Sequence, residues 1–173
     1  MTSVQPVPSP SMSNTNAAAP DDVVSVQVAA DPNAVYELVS DVTNMPRWSP
    51  ETYRTRWIGG ATGPAVGARF RGTNKWHFIR WTTTVEVEVA DPGREFTFCT
   101  VLEGKKRTRW SYTFEPKDGG TLLTESRYRL SIAPIRGNFD RLFMRGHQTD
   151  FQEGMRVTLE RIRAAAEGSK AAS

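Results

Sequence analysis

The sequence contains a single cysteine, Cys99, among 173 residues, so an intramolecular disulfide is impossible. A chain without disulfides fits a reducing compartment, and we expect a cytoplasmic location. Long apolar runs are also missing. No segment approaches the ~20 apolar residues that a membrane-spanning helix needs, so we expect no stable membrane insertion.

The sequence also has little excess of positive over negative charge, with 22 Lys and Arg against 19 Asp and Glu. The net charge is +3 and no run of Lys or Arg dominates, so the sequence predicts no nucleic-acid partner. The two histidines, His77 and His147, lie far apart and no Cys/His cluster accompanies them, so we predict neither a metal nor a cofactor. The glycine-rich stretch "GGATGPAVG" has no following lysine or helix, which excludes a phosphate-binding loop.

The chain divides into one domain and two tails. Residues 1–22 are rich in Pro, Ser, Asn and Ala and contain no Lys or Arg, which predicts a disordered tail and no secretory signal. "VVSVQVAA" alternates like a strand, and "DPNAVYELVSD" has the capping Asp and early Pro of a short helix. Antiparallel strands are predicted from Tyr53 to Ser131, and apolar spacing predicts a long helix from about 138 to 166. The predicted domain spans 23–167, followed by a disordered tail at 168–173.

One face of the predicted strands is rich in aromatic residues, and charged residues occupy the other face. The inward aromatic residues are Trp57, Phe70, Trp76, Trp81, Phe96, Phe98, Trp110, Tyr112 and Phe114. The same alternation places polar residues inward, namely Asn74, Thr83, Thr100, Thr108, Thr124, Ser126 and Tyr128. Buried polar groups need partners, so these residues either hydrogen-bond one another and water or line a cavity that a ligand enters. A solid aromatic core is the alternative.

The order of these patterns resembles the START-like (SRPBCC) superfamily, and within it the polyketide cyclase/dehydrase-like proteins of actinobacteria. The resemblance rests on "DPNAVYELVSDVTNMPRWSPE", "GARFRG", "ADPGREFTF", "RWSYTFEP" and "TLLTESRYRL", in this order along the chain. It implies an α+β helix-grip (Bet v 1-like) fold, in which a curved antiparallel sheet of about seven strands surrounds a long C-terminal helix. It also implies a hydrophobic ligand held between the sheet and that helix.

Three further residues are candidates for the site, each with a structural alternative. Trp48 follows the short helices and is expected either at the ligand entrance or as a packing anchor. Glu51 begins a strand near the predicted cavity, where it is either an acid/base or a solvated partner of an arginine. His147 lies four residues from both Phe143 and Phe151 on the apolar stripe of the long helix. It is either an acid/base or a buried neutral histidine.

The sequence therefore predicts a protein that binds a small hydrophobic molecule such as a lipid, a polyketide or another polycyclic compound. The predicted ligand-binding residues are Trp48, Trp57, Phe70, Asn74, Trp76, Trp81, Thr83, Phe96, Phe98, Thr100, Trp110, Phe114, Ser126, Phe143 and Phe151. The first alternative is a cyclase/dehydrase-type enzyme that uses His147, Glu51, Tyr112 or Tyr128 for proton transfer. The second is a protein-interaction module that uses the same groove. A monomer or a homodimer fits either case.

Overall fold

A computed structural model describes residues 19–131 and 151–170 of the chain. The strands are β1 (Asp22–Val28), β2 (Thr52–Ile58), β3 (Arg69–Trp76), β4 (Ile79–Asp91), β5 (Glu95–Leu102), β6 (Lys105–Lys117) and β7 (Gly120–Arg129). The helices are α1 (Pro32–Ser40), a 3₁₀ turn (Val42–Asn44), α2 (Met45–Trp48) and α3 (Phe151–Lys170). The predicted α+β class is confirmed, and the described elements follow the predicted order. The predicted start of the long helix, near residue 138, lies outside the described residues, and α3 extends to Lys170.

The seven strands form one antiparallel sheet in the order β1-β7-β6-β5-β4-β3-β2. Pairing shifts by one residue between Val87 and Val89 in β4, and again between Cys99 and Val101 in β5. Such bulges increase the local twist and bend a sheet, which curves this one around α3. The predicted helix-grip arrangement is therefore present.

The segment between β1 and β2 folds as the capping pattern predicts. The Asp31 carboxylate accepts a hydrogen bond of 2.8 Å from the backbone N–H of Asn33, and Pro32 occupies the first turn of α1. Val35 and Val39 lie one turn apart on the buried face. This packing directs the following segment, Ser40–Glu51, across one end of the sheet.

Helix α3 buries an apolar stripe against the sheet and the short helices. Met155, Leu159, Ile162 and Ala166 follow the 3.6-residue period and are all at least nine-tenths buried. None of the helices in the described ranges is both long and apolar enough to cross a membrane.

The predicted orientation of β7 is wrong. Leu123, Glu125 and Arg127 face inward, so Ser126 and Tyr128 lie on the outer face of the sheet. The cause is the turn before β7, where Asp118 and Gly119 both have positive φ, as in a two-residue type I′ hairpin. That turn pairs Lys117 with Gly120, and the antiparallel ladder then places Glu125 opposite Tyr112.

Candidate functional site

A cavity of about 420 Å³ lies between the sheet and α3. Its walls come from the Ser40–Glu51 segment, the middle strands and the first turns of α3. The lining residues are Met45, Ser49, Pro50, Glu51, Thr52, Phe70, Gly72, Asn74, Trp81, Thr83, Val85, Phe98, Thr100, Thr108, Trp110, Tyr112, Glu125, Phe151, Gly154, Met155 and Thr158. Nine of these 21 residues are polar, and the others are apolar, aromatic or glycine, so the cavity combines aromatic walls with polar groups, as in many small-molecule sites.

The segment after α2 forms one edge of the cavity. The Ser49 hydroxyl accepts hydrogen bonds from the backbone N–H groups of Glu51 (3.3 Å) and Thr52 (3.0 Å), which fixes the turn into β2. Pro50 faces α3 at Gly154, where a Cβ would lie 3.7 Å from the Pro50 ring. The glycine thus leaves space between the helix and this edge.

One wall carries a chain of side-chain hydrogen bonds. Thr52 donates to the Asn74 carbonyl oxygen at 2.7 Å, and the Asn74 amide donates to the Thr83 hydroxyl at 3.1 Å. On the next strands, the Thr100 hydroxyl accepts a bond from the backbone N–H of Thr108 at 3.0 Å. The inward polar residues therefore do both things the sequence left open, because they bond one another and line the cavity.

The most unusual polar group of the cavity is Glu125, which is only 3% exposed. Its Oε1 accepts a hydrogen bond of 2.6 Å from the Tyr112 hydroxyl, whereas no described residue hydrogen-bonds its Oε2. Burial raises the pKa of Glu125 to about 8, although the Tyr112 hydrogen bond acts in the opposite direction. Burial, and then the charge of Glu125, raise the pKa of Tyr112 well above its ordinary value. At neutral pH the carboxyl group therefore holds its proton.

The buried cation on the same strand has other partners. Arg127 donates from Nε to the Asp22 carboxylate at 2.7 Å, and its guanidinium lies 4.4 Å from the ring centre of Phe151. The Phe151 ring in turn lies 6.0 Å from the ring of Trp110. Arg127 thus joins β1, β7 and α3 at the edge of the cavity and does not neutralise Glu125.

The structure brings together ten of the predicted site residues. These cavity-lining residues are Glu51, Tyr112, Phe70, Asn74, Trp81, Thr83, Phe98, Thr100, Trp110 and Phe151. His147 and Phe143 lie outside the described residues. Their roles stay predictions.

Other predicted ligand-binding residues lie away from the cavity. Trp48, Phe96 and Phe114 are buried in the hydrophobic core, and Trp57 packs against that core with its ring 5.7 Å from the ring of Phe70. Trp76 ends β3 and packs against the ring of His77. The aromatic face is thus partly solid core and partly cavity wall, because the residues nearest α1 pack against that helix.

Two predictions about individual residues are corrected by the position of β7. Ser126 and Tyr128 cannot line the cavity, because their side chains point to the outer face. Glu125 replaces them, and the sequence interpretation missed it because a charged residue was assigned to solvent by default. The two-residue Asp118–Gly119 turn was the signal that identifies its orientation.

The described residues offer no other chemistry for the site. Within 19–131 and 151–170 no group of three or more His, Cys, Asp or Glu side chains is placed to hold a metal ion. Cys99 is fully buried, and this burial raises the pKa of its thiol, which disfavours a nucleophilic thiolate.

A curved antiparallel sheet that grips one long helix around a cavity defines the START-like, helix-grip class of protein. The chain belongs to the family described as polyketide cyclase/dehydrase and lipid transport, because the model of that family matches residues 22–167. The resemblance inferred from the sequence motifs is confirmed.

Solved structures with this fold include proteins of low sequence identity. Protein NE0264 from Nitrosomonas europaea has a TM-score of 0.65 at 12% identity, covering 88% of this chain and 97% of its own. The di-domain ARO/CYC StfQ from the steffimycin biosynthetic pathway has a TM-score of 0.67 at 15% identity, covering 87% of this chain and 51% of its own. The Polyketide_cyc-like protein Cgl2372 from Corynebacterium glutamicum is 33% identical over 84% of this chain and 90% of its own, with a TM-score of 0.49. No curated protein matches the sequence.

Proposed function

We propose that the protein binds a small hydrophobic ligand, such as a lipid, a polyketide or another polycyclic compound, between the sheet and α3. The observation that carries this proposal is the cavity of about 420 Å³ with aromatic walls. Phe70 and Phe98 lie edge to face with ring centres 5.4 Å apart and form a continuous apolar part of the wall. A ligand that covers such a surface gains about 25 cal/mol per Å² of apolar area removed from water.

The polar wall supports an apolar rather than a strongly polar ligand. Asn74, Thr83 and Thr100 already have hydrogen-bond partners within the protein, so an apolar ligand beside them leaves no bond broken. The family includes proteins described as cyclases, dehydrases and lipid carriers, and StfQ belongs to the steffimycin biosynthetic pathway. Both support a hydrophobic ligand. A cytoplasmic monomer or homodimer fits the proposal.

A cyclase/dehydrase-type activity is the second candidate, and Glu125 is the observation that favours it. A carboxyl group with a pKa of about 8 holds a proton at neutral pH, and it lines the same cavity as Tyr112 and Glu51. A positioned acid of this kind protonates the attacked carbonyl oxygen during an aldol cyclisation, or the hydroxyl group that leaves as water during a dehydration. Under this reading Glu125 is the proton donor.

The first experiment is native mass spectrometry of the protein purified from its own host, with identification of any bound compound. The matched variants are Gly72→Leu and Gly63→Leu. A Cβ on Gly72, in the cavity wall, meets only atoms at 3.9 Å, so a leucine there fills the cavity without a backbone clash. A Cβ on Gly63 meets no atom within 4 Å and lies outside the cavity lining.

We expect a hydrophobic compound on the wild type and on Gly63→Leu, and its loss from Gly72→Leu. Addition of the tricyclic hydrocarbon fluorene tests the cavity if the purified protein is empty. Failure of the wild type to hold either a host compound or fluorene would show that the proposed function is wrong.

A further inference from the structure

We infer that the cavity selects neutral ligands that carry a carbonyl group, and that the Glu125 carboxyl donates a hydrogen bond from Oε2 to the carbonyl oxygen. The inference rests on the proposed function and deepens it by naming the chemical class of the ligand.

The hydrogen bond from Tyr112 determines which carboxyl oxygen is left for a ligand. The Tyr112 hydroxyl donates to Oε1 at 2.6 Å, so Oε1 acts as an acceptor and the carboxyl proton resides on Oε2. Oε2 is buried and no described residue hydrogen-bonds it. A buried polar atom without a hydrogen-bond partner is unfavourable. A ligand that accepts a hydrogen bond from Oε2 therefore binds more tightly than one that cannot.

The surroundings of Glu125 favour its neutral form. Val24 lies opposite it on β1, and Tyr112 lies opposite it on β6. The α3 residues that line the cavity, Phe151, Gly154, Met155 and Thr158, are uncharged. Arg127 is paired with Asp22, and Glu51 lies half-buried at the cavity edge. Burial therefore dominates and raises the pKa of Glu125 to about 8.

The charge of the lining argues against an anionic ligand. No Lys, Arg or His among the described residues lines the cavity, so a carboxylate or a phosphate would enter without a counter-charge. A ketone or a similar carbonyl acceptor matches a neutral donor without any buried charge. A cationic amine needs a carboxylate partner, either Glu51 at the cavity edge or an ionised Glu125, so its binding is measured in a Glu51→Gln background.

The experiment compares four probes built on one tricyclic ring system: fluorene, fluorenone, 9-(aminomethyl)fluorene, whose alkylamine is protonated at pH 7, and fluorene-9-carboxylate. Dissociation constants are measured at pH 7 by calorimetry or by quenching of tryptophan fluorescence. One hydrogen bond contributes about a three- to tenfold gain in affinity, so we expect fluorenone to bind about that much more tightly than fluorene. The carboxylate is expected to bind most weakly.

Two variants assign the preference to Glu125. Glu125→Gln keeps an N–H donor in place of the acid, so the preference for fluorenone should survive. The double variant Glu125→Leu/Tyr112→Phe removes the donor without leaving the tyrosine hydroxyl unpaired, and the preference should vanish while fluorene still binds. In the wild type the preference should fall as the pH rises above about 8, because the acid loses its proton, whereas Glu125→Gln should show no such change.

The outcomes separate this inference from the proposed function. Binding of fluorene without a preference for fluorenone, a preference that survives in the double variant, or tightest binding of the amine in the Glu51→Gln background would overturn the inference alone. Failure of all four probes to bind the wild type would remove both the inference and the proposed function.

Discussion

Glu125 makes the stability of the protein depend on pH through a single buried side chain. Its pKa is about 8 in the folded protein, compared with 4.5 for an unperturbed glutamate, because burial disfavours the charged carboxylate. Between these values the unfolded chain releases the proton and the folded protein keeps it. The contribution of Glu125 to the free energy of unfolding is therefore fully present below about pH 4.5 and is lost as the pH rises through about 8.

We predict that Glu125→Gln flattens this part of the pH dependence. The amide does not titrate, so the free energy of unfolding of the variant should exceed that of the wild type increasingly from pH 5 to 8. The expected difference at the upper end is on the order of a few kcal/mol. Urea unfolding followed by tryptophan fluorescence at several pH values measures it.

The control for this prediction is Glu115→Gln, which removes an exposed carboxylate from the same sheet and keeps Glu125. This variant should retain the wild-type slope. If Glu125→Gln retained the slope too, the carboxyl of Glu125 would not be the buried neutral acid described above.

At the scale of elements, the hairpin between β6 and β7 shows what the sequence could predict. The residues "KDGG" at 117–120 indicate a turn, and the structure has a turn there. A two-residue Asp118–Gly119 loop also fixes the register, so Tyr112 must face the same side as Glu125. The sequence interpretation placed the charged Glu125 in solvent, and this reversed the predicted orientation of β7. The inward direction of Glu125 was therefore predictable, but its burial was not, because that depends on β1 and α3.

Helix α3 contains a glycine where the cavity requires space. Gly154 lies in the lining opposite Pro50, and a glycine in a helix costs about 0.5–1 kcal/mol relative to alanine. We predict that Gly154→Ala raises the free energy of unfolding by about this amount and weakens ligand binding. Chemical denaturation and titration with fluorene measure the two effects.

Gly168→Ala is the matched control for that trade-off. Gly168 is an exposed glycine of the same helix, and a Cβ there meets no atom within 4 Å. This variant should gain helix stability, to a smaller extent near the helix end, without any change in fluorene affinity. Equal fluorene affinities of Gly154→Ala and the wild type would mean that Gly154 does not shape the cavity.

For the whole molecule, the sequence predicted the fold far better than the site. Element order, the aromatic face and the α3 stripe follow from local periodicity, and within the described residues each is present, the stripe from Met155 to Ala166. The cavity depends on how strongly the sheet bends, and the bend follows from pairing shifts near Val87 and Cys99 that alternation does not reveal. Both Phe96 and Phe98 belong to the core, yet only Phe98 also lines the cavity.

One contact joins three parts of the chain that are distant in sequence: the start of β1, β7 and the start of α3. Arg127 on β7 pairs with Asp22 at the start of β1 and stacks on Phe151 of α3. Both side chains of the ion pair are largely buried, with 7% and 14% of their surfaces exposed. Because little water reaches either side chain, each charge is stabilised mainly by the other.

We predict that breaking this pair costs more than removing it. Asp22→Ala leaves a buried guanidinium unpaired and should lower the free energy of unfolding by about 2–4 kcal/mol. In Arg127→Met/Asp22→Ala no charge remains and the methionine thioether can pack on Phe151, so the double variant should be less destabilised than the sum of the single variants by about 1–3 kcal/mol. Urea denaturation of all four proteins gives this coupling energy.

The exposed pair Glu153–Arg156 on α3 is the reference and should show a much smaller coupling, because water screens both charges. If the two couplings were equally small, Arg127 would not hold the edges of the sheet to the helix.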